Sequence, residues 1–70
     1  MDLIKIGKYI AEKRKALGLT QKQLAEQLGM SDKSVSKWER GQSDPSTTNL
    51  MALAKLFQVT PEELLREVYH

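Results

Sequence analysis

Apolar residues along this 70-residue chain recur at intervals of three and four, and no stretch alternates long enough to read as a strand. Ile6, Ile10 and Leu17, with Tyr9 and Ala16, form a stripe that predicts an amphipathic helix over residues 3–17, ended by Gly18. Thr20-Gln21-Lys22-Gln23 then reads as a capping box: the Thr20 hydroxyl accepts from the Gln23 amide and the Gln23 side chain reaches back. Leu19 and Leu24 staple that helix, which buries Leu24, Ala25 and Leu28 and stops at Gly29. Ser31 caps a third helix over 32–40, with Met30 and Val35 as its staple and Gly41 as its stop. After the polar loop Gln42-Ser43-Asp44-Pro45, Ser46 caps a fourth helix over 47–57, turning Leu50, Leu53, Ala54 and Phe57 inward. Thr60-Pro61-Glu62-Glu63 is a second capping box with proline at the first helical position. Val59 and Leu64 staple this last helix, and Leu64, Leu65 and Val68 give it an apolar face.

The expected fold is therefore all-α, a compact bundle of five short helices in a single domain over 1–70. The prolines and all four glycines read as punctuation between helices. A chain of this length has no room for a second core and buries only about 60% of its unfolded surface, so its local signals must agree with its fold. They do.

Composition removes most chemistry. Without cysteine there is no disulfide scaffold and no thiolate metal site. The single histidine is the terminal His70, so histidine-based catalysis and multi-histidine metal sites have no material. Serines are plentiful, but no base is present to activate one. The expectation is a non-enzyme with no cofactor and no metal. The longest apolar run, Leu50 to Ala54, is far too short to cross a membrane, and no signal-peptide pattern opens the chain, so a cytoplasmic protein is expected. The net charge of +2 says little, but its distribution is uneven. Residues 1–43 carry nine Lys/Arg against five Asp/Glu, and residues 44–70 carry two against four. The first half suits a polyanion, whereas the second could face a protein partner.

The informative stretch is 21–40, two short helices joined by the turn Gly29-Met30-Ser31. Ala25 is small where the second helix crosses above it, Gly29 reverses the chain in one residue, and Leu24, Leu28, Val35 and Trp38 face inward. That is the plan of a DNA-binding helix-turn-helix. A helix with its first turn in the major groove presents Asp32, Lys33, Ser36 and Lys37 to the bases. Trp38, three residues from Val35, belongs to the core rather than to a nucleobase, and Lys5, Lys8, Lys13 and Lys15 read as a solvated face of the first helix.

Leu17-Gly18-Leu19-Thr20-Gln21, Leu24-Ala25, Gly29-Met30-Ser31 and Val35-Ser36-Lys37-Trp38-Glu39-Arg40-Gly41 together resemble the Cro/repressor (XRE) helix-turn-helix family. Pro45, Leu50, Leu53-Ala54, Phe57 and Val59 to Leu65 are similar to its fourth and fifth helices, so the resemblance covers essentially the whole chain. It implies a five-helix domain that binds operator DNA, usually as a dimer on a palindrome. It also implies that Gln21 binds a phosphate, that Asp32, Lys33 and Lys37 read bases, and that Arg40, Gln42 and Ser43 hold the DNA backbone. Lys22 and Ser34 complete the expected phosphate contacts. Arg14 and Glu39 match a structural ion pair that pins the first helix to the end of the third. Many relatives carry glutamines where this chain has Asp32 and two lysines. Lysine donates to guanine O6 and N7 and aspartate accepts from cytosine N4, which favours G·C pairs in the half-site.

The expected function is a sequence-specific transcriptional regulator, a repressor that binds double-stranded DNA as a homodimer. Val59, Leu64, Leu65, Val68 and Tyr69 are the candidate dimer contacts. Equally, the 70 residues could be the N-terminal piece of a longer regulator with its dimerisation domain elsewhere. The alternative function is a protein-interaction module, an antitoxin or adaptor that uses the same fold and docks through residues 44–70.

Overall fold

The computed structural model describes residues 2–69. Its helices are α1 (Leu3–Ala16), α2 (Gln21–Leu28), α3 (Asp32–Glu39), α4 (Thr47–Phe57) and α5 (Pro61–Tyr69), as the apolar periodicity predicts. α3 packs on α1 and α2, α5 packs on α1 and α4, and α4 also touches α2. α3 thus lies on one side of the molecule and the α4–α5 pair on another.

Helix starts follow the cap residues. Asp2, not anticipated as a cap, accepts from the amides of Ile4 and Lys5. Thr20 and Gln23 form the full reciprocal box, at 3.0 and 2.8 Å. Ser46 accepts from Asn49 at 3.2 Å. The helix ends share one device. The amides of Leu19, Met30, Gln42 and Val59 donate back to Arg14, Lys37, Ala25 and Ala54 carbonyls in the pairs Leu19–Arg14, Met30–Ala25, Gln42–Lys37 and Val59–Ala54, at 2.9–3.1 Å. Each bond encloses a residue in the left-handed region, namely Gly18, Gly29, Gly41 and Gln58. At Gly29 (φ 69°, ψ 35°) this turn redirects the chain from α2 into α3 with only three intervening residues.

The core joins Ile6 and Ile10 of α1, Leu24 and Ala25 of α2, Val35 and Trp38 of α3, and Leu50, Leu53, Ala54, Phe57 and Leu64 of the last two helices. Trp38 is only 3% exposed, so it is a core residue as its spacing implies.

The structure departs from the sequence pattern at five places. Leu17 and Ala16 do not extend the buried stripe of α1. The helix ends at Ala16, the chain turns at Leu17, and both side chains are exposed. Gly7 is not punctuation: it is buried in the middle of α1. A Cβ there would lie 2.4 Å from the Trp38 carbonyl oxygen and 2.9 Å from that of Glu39, so the glycine lets α1 touch the last turn of α3 backbone to backbone. Ser31 occupies the N-cap position of α3, but its side chain makes no capping bond and lies 3.5 Å from the Ser34 hydroxyl instead. The Thr60 box is half formed: Thr60 accepts from the Glu63 amide at 3.1 Å, and no return bond from the Glu63 side chain occurs among the described residues. Finally, Leu64 is fully buried and belongs to the core, so it is no dimer contact.

Candidate nucleic-acid interface

An eight-residue helix has little stability of its own, so α3 holds its place through what its inner face grips. Val35 and Trp38 enter the core, and Glu39 reaches under α2 toward α1. At roughly 100° per residue, Lys33, Ser36, Lys37 and Arg40 then share one outward sector roughly 100° wide, with Asp32 and Ser34 on its two flanks. Asp32, Lys33, Lys37 and Arg40 are exposed, while Ser34 and Ser36 are half-buried. Arg40 folds back along the helix, its Nε donating to the Ser36 carbonyl at 3.3 Å. Gln42, which follows α3 in the loop, is exposed and Ser43 half-buried.

The Arg14–Glu39 pair is present as the motif implies. Arg14 Nε donates to Glu39 Oε2 at 2.6 Å and its second terminal nitrogen to Oε1 at 3.0 Å. The remaining nitrogen donates to the Leu19 carbonyl at 2.8 Å, tying the pair to the turn before α2. Both side chains are largely buried, at 12% and 8% exposure. Burial pushes the Glu39 carboxyl pKa up, but the hydrogen bonds from Arg14 and Gln21 and the charges of Arg14 and Lys15 outweigh it, so the net shift is downward. The hydrogen bond to Glu39 likewise raises the Arg14 pKa.

Gln21 departs from the simplest expectation. Its amide nitrogen donates to Glu39 Oε1 at 3.0 Å, across from the first residue of α2 to the last of α3. The local sequence pattern carries no sign of this contact, because Gln21 and Glu39 belong to separate features of it. The signal for it lies in the tertiary crossing alone. Lys22 is exposed beside Gln21. The start of α2, at the positive end of that helix's dipole, therefore adjoins the C-terminal end of α3.

Three lysines of α1 stand beside acidic side chains of α5. Lys5 and Lys8 line one groove with Glu67, and Lys13 lines another with Glu63, Arg66 and Glu67. Tyr9 sits between, its ring 5.7 Å from the Lys13 ammonium and edge-on to Phe57, and burial plus the Glu67 and Glu63 charges raise its pKa. The acidic second half of the chain thus folds back beside the basic first helix. A third, shallow groove between α2 and α4, lined by Leu28, Ala52 and Leu56 among others, contains none of the α3 residues. No helix among the described residues is long and apolar enough to cross a membrane.

These features define a class: a small all-helical domain built around a helix-turn-helix that displays a basic, convex outer sector. The chain belongs to the helix-turn-helix family HTH_3, whose model matches residues 10–64. It is 48% identical over 60 residues to the HTH-type transcriptional regulator DicA of Escherichia coli, an alignment covering 86% of this chain and 44% of that protein. Its fold matches the restriction-modification controller protein C.AhdI from Aeromonas hydrophila with a TM-score of 0.81 and 40% identity, over 90% and 91% of the two chains. It also matches the P22 c2 repressor, solved in complex with a synthetic operator, with a TM-score of 0.79 and 37% identity over 89% and 94%. The chain spans less than half the length of DicA.

Proposed function

We propose that residues 1–70 act as one sequence-specific DNA-binding domain of a transcriptional regulator, a repressor working in the cytoplasm by binding rather than catalysis. The observation that carries this reading is the outward sector of α3. Its basic side chains stand on a helix whose opposite face is locked into the core, next to the amide-rich start of α2. The operator bound by the P22 repressor supports it by likeness. In this reading Lys33 and Lys37 read base edges with Asp32 and Ser36 beside them. Gln21, Lys22, Ser34, Arg40, Gln42 and Ser43 meet the sugar–phosphate backbone.

Two copies bind a palindrome, with half-sites about 34 Å apart. The domain measures 27 × 24 × 21 Å, so two copies can occupy half-sites at that spacing without overlapping. Val59 and Leu65, both half-buried, and Tyr69, 57% exposed, remain the candidate dimer contacts, while the Val68 side chain lies outside the described residues.

Selection of bound sequences from a random duplex pool, followed by titration of the winner at two salt concentrations, tests the reading. A palindromic winner whose affinity falls steeply with salt supports it. No enriched duplex, together with salt-insensitive capture of a protein, favours the adaptor alternative. On the selected duplex, Lys37→Ala should cost about 1–3 kcal/mol and relax discrimination at one base position. Unchanged affinity with an intact circular dichroism spectrum would reject the placement of α3.

A further inference from the structure

Glu39 accepts three hydrogen bonds, two from Arg14 and one from Gln21. The arginine fork already supplies the charge and the tie between α1 and α3 that the scaffold needs. The Gln21 bond does something else. It joins the first residue of α2 to the last of α3 and uses one of two hydrogens on the same amide nitrogen. With that hydrogen on Glu39, the other has its direction fixed in the amide plane. The reversed amide is excluded, because it would set the glutamine oxygen against a carboxylate. A glutamine left in water loses three torsions of freedom on making a contact, and one held in advance loses little.

We propose that Glu39 is a positioning residue for DNA binding: it holds the Gln21 amide so that its second N–H faces a backbone phosphate beside the start of α2. This rests on reading Gln21 as a phosphate contact. Glu39 acts through Gln21 and does not itself touch DNA.

A thermodynamic cycle on the selected duplex tests it, using Glu39→Gln, Gln21→Met and the double variant, each at a temperature where circular dichroism shows it folded. In Glu39→Gln, Arg14 takes the new amide oxygen, leaving an NH2 group turned toward the donor of Gln21. Glu39→Gln should weaken binding about tenfold. In the Gln21→Met background the same substitution should leave the affinity unchanged. An equal loss in both backgrounds, or none in either, overturns the proposal in favour of a purely structural Glu39. Gln21→Met with unchanged affinity removes the phosphate contact itself and the proposal with it.

Should Glu39→Gln fail to fold, side-chain 15N relaxation on the unaltered, DNA-free protein decides. The Gln21 NH2 group should be ordered on the picosecond–nanosecond timescale, in contrast to the NH2 groups of exposed Gln27 and Gln42. Equal mobility of all three would overturn the proposal.

Discussion

The two halves of this domain are held by different physics. Residues 2–41 combine apolar contacts with a buried ion pair, an inter-helix amide bond and a glycine-mediated backbone approach, all converging on the last turn of α3. Residues 46–69 contribute Leu50, Leu53, Ala54, Phe57 and Leu64 to the core, and the domain's one ion pair among the described residues lies outside them. The difference follows from what each half must do. A floor for the core has only to be apolar and of the right volume, and many packings satisfy that. A two-turn helix offered to a rigid ligand has to stand at one height and one rotation. Directional contacts supply this where non-directional burial cannot.

The largest effect should come from the residue that serves both needs. Trp38→Ala removes the biggest apolar group of α3 from a nearly closed site, and it should cost about 3–5 kcal/mol. That is a large share of the stability of so small a domain, so thermal melting should show partial or complete unfolding at ambient temperature. A loss of under 1 kcal/mol would mean that the apolar floor alone carries the fold.

Gly7→Ala separates the two kinds of constraint more cleanly. Alanine favours a helix interior by about 1 kcal/mol over glycine, so propensity predicts a gain. The new methyl group, however, meets backbone oxygens of Trp38 and Glu39 that have no rotamer with which to move aside. Denaturant melts should therefore show a net loss of about 1–3 kcal/mol, with α3 pushed from its seat. A gain would show that α1 and α3 approach less closely than the structure has them.

A smaller effect is expected from acid. The folded pKa of Glu39 lies below its ordinary value of 4.5. A carboxyl depressed by folding stabilises the native state fully above the unfolded pKa, and this contribution is lost as pH falls through the folded one. Stability from the Arg14–Glu39–Gln21 group should therefore be intact at neutral pH and decline only below about pH 4.5. Melting midpoints of the unaltered protein and of Glu39→Gln, followed downward in pH, should converge. Parallel curves would remove the network from the acid response.

The helix plan was legible because its signals are local. Thr20 with Gln23, Ser46 and the glycines after α1, α2 and α3 each act within five residues. The basic positions on α3 were legible too, since helical period alone separates Lys33 and Lys37 from Val35 and Trp38. What depends on crossing geometry was not. By pattern Leu64 suits both a staple and an interface, and only packing shows that the core takes it entirely. Gly7 carried a readable sign, a glycine inside a strong helical run, which a helix tolerates without breaking. The Gln21–Glu39 bond spans 18 residues and left no periodicity to find.

The smallest effect sharpens the comparison most directly, because both halves contain the same backbone turn. α1, α2 and α3 each end with a left-handed glycine, whereas α4 ends with Gln58 at φ 60° and ψ 40°. An L-residue with a Cβ pays about 1–2 kcal/mol for that conformation, and glycine costs about 0.5–1 kcal/mol in unfolded-state freedom. Gln58→Gly should accordingly stabilise the domain by about 0.5–1 kcal/mol, read as a higher urea midpoint at unchanged slope. Gly29→Ala, the reverse exchange in the half that positions α3, should destabilise by about as much, although a Cβ there meets no atom within 4 Å. Because the steric surroundings at Gly29 are empty, its penalty can come only from the backbone. Opposite signs at the two sites would then show that the glycines of the first half are there for the turn itself. A loss at Gln58→Gly would instead give the glutamine side chain, which lines the groove beside Leu56, a stabilising contact large enough to offset its own strain.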